Sequence, residues 1–259
     1  MKSLAYNFYS SQGALKQIPL VILHGLFGQA KNWHRIAKLM TDKYDIYVPD
    51  LPNHGKSYHC EDLNYELLSH SILKFLDEHH LKKVNLVAHS MGGKATMLFA
   101  LNYPQYINKL IVVDIAPISY QHDFSNILDA LDSVPLDLIK SRGQAEQILA
   151  ESISDQRISQ FLISNLEKKD KLFQWQFNLA AIKKNIASII AFPEVSAMQY
   201  EQLCWFLAGN DSDYIQKSDT LVIKKLFPKA KIIRLKNAGH WLHVEQPDAF
   251  MQTIRTILN

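Results

Sequence analysis

Short, solidly apolar runs rich in β-branched residues recur along the chain: Pro19 to Gly25 (PLVILHG), Tyr44 to Asp50 (YDIYVPD) and Lys83 to Ser90 (KVNLVAHS). Lys109 to Pro117 (KLIVVDIAP), Leu203 to Gly209 (LCWFLAG) and Ala230 to Lys236 (AKIIRLK) repeat the character. Such runs suit strands buried on both faces of a parallel sheet. Between them lie stretches with helical spacing: NWHRIAKLM, NYELLSHSILKFLDEH, KATMLFALNYP and DTLVIKKLFP. Several stop at a proline, where a helix cannot continue. In the last stretch, QPDAFMQTIRTIL, Pro247 stands near a helix start, where a missing N–H costs nothing. Alternating β and α predicts an α/β fold, a mostly parallel sheet with helices on both faces joined by right-handed crossovers.

The rhythm breaks between about 120 and 197. No buried strand is legible there, only helix-like pieces such as NILDALDSV, GQAEQILAESI, RISQFLISNLEKKDKLFQWQFNLAAI and NIASIIAF. Strand-like runs resume afterwards, so the pattern predicts one domain over 1–259 with a helical cap inserted over the carboxyl edge of the sheet. Open α/β sheets bind their ligands at that edge.

Composition narrows the function. The chain is 47% apolar and 20% charged, ordinary for a soluble globular protein. A net charge of +3 with no Lys/Arg block argues against a nucleic-acid partner. Doublets such as Lys168-Lys169 and Lys183-Lys184 read as solvated helix faces. Cys60 and Cys204 match no zinc or redox spacing, and Cys204 lies in an apolar run that predicts a buried thiol. MKSLAYNFYSSQG lacks a sustained apolar core, and no window reaches the roughly 18 apolar residues of a membrane span. The expectation is a cytoplasmic protein without a membrane span, cofactor or metal; no feature specifies an oligomeric state.

The chemistry centres on Ala88-His89-Ser90-Met91-Gly92, at the junction of a buried strand and a helix. A residue at such a turn is strained and projects from the top of the sheet, and small neighbours two before and two after relieve the crowding. Alanine stands where the first glycine of a G-x-S-x-G elbow is usual. The Met91 N–H, unpaired at the helix start, can face an oxyanion beside Ser90. After the first buried strand, LHGLFG can turn the Leu26 N–H into the same space. Serine is also a good N-cap, so the elbow needs partners to mean catalysis.

Most of the eleven histidines have structural readings: His70, His79 and His80 on a polar helix face, His34 and His54 near loops, His24 in the glycine turn, His89 facing away from Ser90. His240 differs. NAGHWLH sets it on a small-residue loop after the final strand, at the same sheet edge as Ser90, while His243 reads as an anchor of the following helix. The orienting acid usually comes three residues after the glycine ending the penultimate strand, which here is Ser212, flanked by Asp211 and Asp213. Asp114 in IVVDIAP is the other candidate. A carboxylate closing a buried run is costly unless a partner meets it, which favours Asp114 over Asp211 and Asp213.

HGLFGQAKNW, DLPNHGKS, VAHSMGGKATMLFAL, VVDIAPISY and GHWLHVEQPD together resemble the α/β-hydrolases, and among them bacterial YbfF-type esterases. The resemblance spans nearly the whole chain and is least specific in the cap. It implies a triad acid at the DIAP strand end, in agreement with Asp114. The arginine usual in D-x-R-x-H-G is Pro52 here, and Asp50 and His54 read as ties within that loop. The implied activity is hydrolysis of a small-molecule carboxylic ester or acyl thioester by Ser90, His240 and Asp114, with Leu26 and Met91 as oxyanion donors. Phe27 and Trp241 are expected in the acyl pocket, joined by Phe161, Phe173, Trp175 and Phe177 of the insertion. The same triad also serves C–C hydrolases and cofactor-free lyases. A non-catalytic binding module is the third reading, disfavoured because serine, histidine and carboxylate are all present.

Overall fold

The computed structural model describes residues 2–15, 17–195 and 198–259, so the expected end of the insertion at about 197 falls outside them. Strands β1 (Tyr6–Tyr9), β2 (Leu20–Leu23), β3 (Ile46–Pro49), β4 (Val84–His89) and β5 (Ile107–Val113) alternate with helices α1 (His34–Met40), α2 (Tyr65–Glu78) and α3 (Met91–Asn102). The insertion follows, with α4 (Ser125–Ser133), α5 (Arg142–Ala150), α6 (Gln156–Ile163), β6 (Leu166–Lys169), β7 (Leu172–Trp175) and α7 (Leu179–Ile190). The sheet is completed by β8 (Cys204–Gly209) and β9 (Ala230–Leu235), interleaved with α8 (Thr220–Leu226) and followed by α9 (Leu242–Glu245) and α10 (Pro247–Leu258).

The seven-stranded sheet runs β1-β3-β2-β4-β5-β8-β9, parallel throughout except for β1 against β3. β1 escaped the sequence pattern because it is an edge strand with mostly exposed residues and no buried run. Every residue of β2 and β4 is buried, as the unbroken apolar runs required. One face packs on α2, α3 and α8 through Phe75, Phe99 and Ile223; the other packs on α1 and α10 through Met40 and Phe250. Helix α2 begins where Asn64 accepts the Leu67 N–H at 2.8 Å, an N-cap. Helix α3 is buried from Met91 to Leu101, lying between the sheet and the segments around it.

The insertion is mainly helical, with one correction. RISQFLISNLEKKDKLFQWQFNLAAI is α6, a two-stranded hairpin and the start of α7 rather than helix throughout. Asp170 and Lys171 both take positive φ (48° and 75°), the two-residue turn that matches strand twist. Leu166, Phe173 and Trp175 point inward at period two, so Lys168-Lys169 lies on a strand while Lys183-Lys184 lies on α7. The insertion is fastened to α3 by Lys94, whose buried ammonium donates to Ile190 O and Ala191 O at 2.7 Å each. Burial lowers its pKa to about 7. Among the described residues no helix is long and apolar enough to cross a membrane.

Candidate active site

Ser90 links β4 to α3 with φ 51° and ψ −119°, a conformation that L-residues avoid. Its N–H is held by Val113 O at 3.0 Å, and its carbonyl accepts the Lys94 N–H at 3.0 Å. The turn survives because the neighbouring positions carry no bulk. A Cβ on Gly92 would stand 2.4 Å from His24 O, and one on Gly25 would stand 3.0 Å from Ser90 Cβ. The segment after β2 is thereby pressed against the start of α3. Among the described residues neither the Leu26 N–H nor the Met91 N–H has a hydrogen-bond partner.

Two neutral histidines hold that segment. His24 donates from Nδ1 to Gly25 O (2.8 Å) and accepts the Leu51 N–H on Nε2 (3.0 Å). His54 donates to Pro52 O (2.9 Å) and accepts the Phe27 N–H (3.2 Å). Burial lowers their pKa values to about 4 and about 3, which keeps one nitrogen of each free to accept. Asp50 completes the tie, accepting the Ala30 N–H at 2.6 Å and the Lys56 N–H at 2.9 Å. The expectation that Asp50 and His54 tie the loop matches these bonds, and Pro52 supplies a carbonyl to them.

Asp114 follows β5, has no exposed surface and takes a positive φ of 50°. Its carboxylate accepts Gly209 N–H (2.9 Å), Ser212 Oγ–H (2.5 Å) and His240 Nδ1–H (2.9 Å). Asp211 is exposed, and the exposed Asp213 pairs with His122 at 3.6 Å, so the carboxylate that meets His240 is Asp114. Burial pushes the Asp114 carboxyl up, against Ser212 and Gly209, whose hydrogen bonds favour the anion. Burial, reinforced by His122, pushes the His240 imidazole below its ordinary value. Tyr214 stacks on His240 with centroids 3.8 Å apart and planes 19° apart.

Ser90 and His240 line one cavity of about 250 Å³, with Leu26, Phe27 and Trp241 in its wall. The Ser90 hydroxyl makes no hydrogen bond among the described residues; such bonds often tighten only with substrate bound. His89 is a correction. It lines the cavity instead of facing away, and its ring bonds His240 O at 2.8 Å. From the insertion, Phe161 joins the wall together with Phe124, Ile127, Ile158 and Leu162. Phe173 and Trp175 do not line it. Phe177 instead packs edge-on behind Phe27 at 5.1 Å. Sequence reasoning also missed Tyr214, for which no local signal exists, and the bond from Ser212, whose position was itself the clue. Among the described residues no cluster of three or more His, Cys, Asp or Glu side chains could hold a metal ion.

Residues 18–140 match the alpha/beta hydrolase fold family. The chain is 36% identical to an sn-1-specific diacylglycerol lipase, ABHD11 of Danio rerio, over 99% of its own length and 82% of that protein. It is 30% identical to esterase YbfF of Escherichia coli strain K12 over 96% of each chain. A solved marine microorganism esterase superposes with a TM-score of 0.94 at 35% identity, covering 98% of this chain and 99% of that one.

The close approach at Gly92 yields a sign test. In an ordinary helix Gly→Ala stabilises by about 1 kcal/mol. Gly92→Ala should instead destabilise by about 2 kcal/mol or more in urea melts, because the new methyl must displace His24 O. A stabilised Gly92→Ala would show that the segment after β2 is not pinned there.

Proposed function

The chain belongs to the α/β-hydrolase family, and from that premise we propose that it is a cofactor-independent serine hydrolase of carboxylic esters and acyl thioesters. The observation that carries the reading is the 2.9 Å bond from His240 Nδ1 to buried Asp114, at the cavity that Ser90 also lines. With Nδ1 engaged, Nε2 of the neutral imidazole is the acceptor for the Ser90 proton. Ser90 Oγ attacks the substrate carbonyl, and the developing oxyanion takes the Leu26 and Met91 N–H groups. The tetrahedral intermediate collapses as His240 returns the proton to the leaving oxygen or sulfur. Water, deprotonated by His240, then attacks the acyl-enzyme and releases the acid. Each oxyanion donor contributes about 3 kcal/mol in comparable sites.

Relatives named esterase and lipase support ester substrates. In this reading the insertion is a cap whose apolar side chains, with Phe27 and Trp241, receive the acyl chain. Both cysteines are free thiols, Cys204 buried, which suits a reducing cytoplasm.

Ser90→Ala tests the nucleophile. It should fold normally, lose turnover of p-nitrophenyl esters and escape labelling by a fluorophosphonate probe that tags the wild type. Retained turnover in the folded variant would overturn the assignment.

The acid is tested separately. Asparagine at Asp114 would stabilise the wrong tautomer of His240, so Asp114→Asn should lose about 10⁴ in kcat. Asp211→Asn and Asp213→Asn should stay within about tenfold of wild type, since neither carboxylate bonds His240. A crippled Asp213→Asn beside a working Asp114→Asn would reverse the ranking.

The pH profile follows from the sign of the His240 shift. A general base acts unprotonated, so activity falls only as pH drops through its pKa. Burial lowers that pKa, so the acid limb of kcat/KM should lie below the ordinary histidine value of about 6.5. A midpoint above 7 would contradict the neutral, buried imidazole.

A further inference from the structure

The wall of the cavity beside Ser90 is of two kinds. The described residues that the insertion contributes are all apolar: Phe124, Ile127, Ile158, Phe161 and Leu162. The segment after β2, together with α9, contributes hydrogen-bonding groups that no other described residue engages. Asn32 commits its Oδ1 to the Gln29 N–H at 2.7 Å, but its Nδ2 has no partner among the described residues. The indole N–H of Trp33 has none either, although that side chain is almost wholly buried. His243 lies on Trp33 with centroids 4.1 Å and planes 12° apart, is 8% exposed, and has its Nδ1 enclosed without a partner. All three line the one cavity. Enclosed polar atoms are paired in the great majority of cases, and here one such atom shares a wall with two further unpaired donors, the Trp33 indole N–H and Nδ2 of the half-buried Asn32, so the wall calls for a ligand.

All three are uncharged. Burial, with His89 and His240 close by, holds the His243 imidazole well below its ordinary pKa, and among the described residues no lysine or arginine lines the cavity. An anionic group would lose its water and meet no counter-charge. A hydroxyl oxygen can accept from the Asn32 and Trp33 N–H groups and exchange a further bond with Nε2 of the neutral His243 imidazole, which has no partner among the described residues and is not enclosed as Nδ1 is. We propose that Asn32, Trp33 and His243 form a subsite for an uncharged hydroxyl on the acyl part of the substrate. The inference rests on the reading of Ser90 as an ester-cleaving nucleophile, and it adds that the preferred acid is hydroxylated.

The test uses matched p-nitrophenyl alkanoates and hydroxyalkanoates, with the hydroxyl moved carbon by carbon along the chain. For the wild type, kcat/KM at one hydroxyl position should exceed that of the plain ester by about fivefold. A purely apolar wall would reject the hydroxyl by about tenfold at every position. His243→Phe keeps a ring on Trp33 and deletes the hydrogen bonding; its ratio of hydroxylated to plain kcat/KM should fall about tenfold. Asn32→Leu should lower the same ratio, which is independent of the amount of folded enzyme. Turnover of plain esters with rejection of the hydroxyl at all positions overturns the subsite alone. So does a wild-type preference that both variants keep. Absence of turnover with every ester overturns the hydrolase reading and the subsite with it.

Discussion

The site hangs on one buried charge. Asp114 sits at the end of a central strand with no exposed surface, where an unpaired carboxylate would be prohibitively costly. It is tolerated because a backbone N–H from the end of β8, a hydroxyl from the following loop and an imidazole from the loop after β9 converge on it. Solvating the carboxylate and positioning His240 are therefore the same set of bonds. Three loops from adjacent strands are drawn to one point, and that point lies beside the end of β4.

Around this fastener the backbone leaves the Leu26 and Met91 N–H groups without a partner among the described residues, and side chains hold that backbone in place. The strained Ser90 turn exposes the Met91 N–H, and the positive φ of Phe27 (56°) marks the matching bend in the segment after β2. Histidine appears here in different capacities because environment decides what the ring can do. His24 and His54, fully enclosed and neutral, each bridge a carbonyl and an N–H. His89 bonds the carbonyl of His240. Of these four rings it is His240 that meets a buried carboxylate, and its Nδ1–H is oriented by that anion.

Legibility in the sequence followed the physical range of each signal. The inner strands β2, β4, β5 and β8 were readable because burial on both faces forces a nearly unbroken apolar run, and the edge strand β9 because it keeps the β-branched pair Ile232-Ile233. β1 was not, since an edge strand answers to one neighbour and to solvent. The β6–β7 hairpin was hidden because its period-two signal spans only four residues a side and its turn, Asp170-Lys171, contains no glycine. Aromatic residues of the insertion were read as one group, yet Phe161 reaches the cavity while Phe173 and Trp175 pack in the small sheet.

By itself the sequence determined the order of the six parallel strands and the helices between them, the strand-to-helix turn that strains Ser90, and the loop that presents His240. Each of these depends on neighbours within a few residues: alternation, missing side-chain bulk, a break after an apolar run. Only the tertiary structure decided which carboxylate meets His240, that Ser212 bonds that carboxylate, and that His89 turns toward the cavity. Those contacts join residues 98 to 151 positions apart. No local pattern encodes such distances; they arise when strands β5, β8 and β9 pair in parallel and bring their carboxyl ends to one edge.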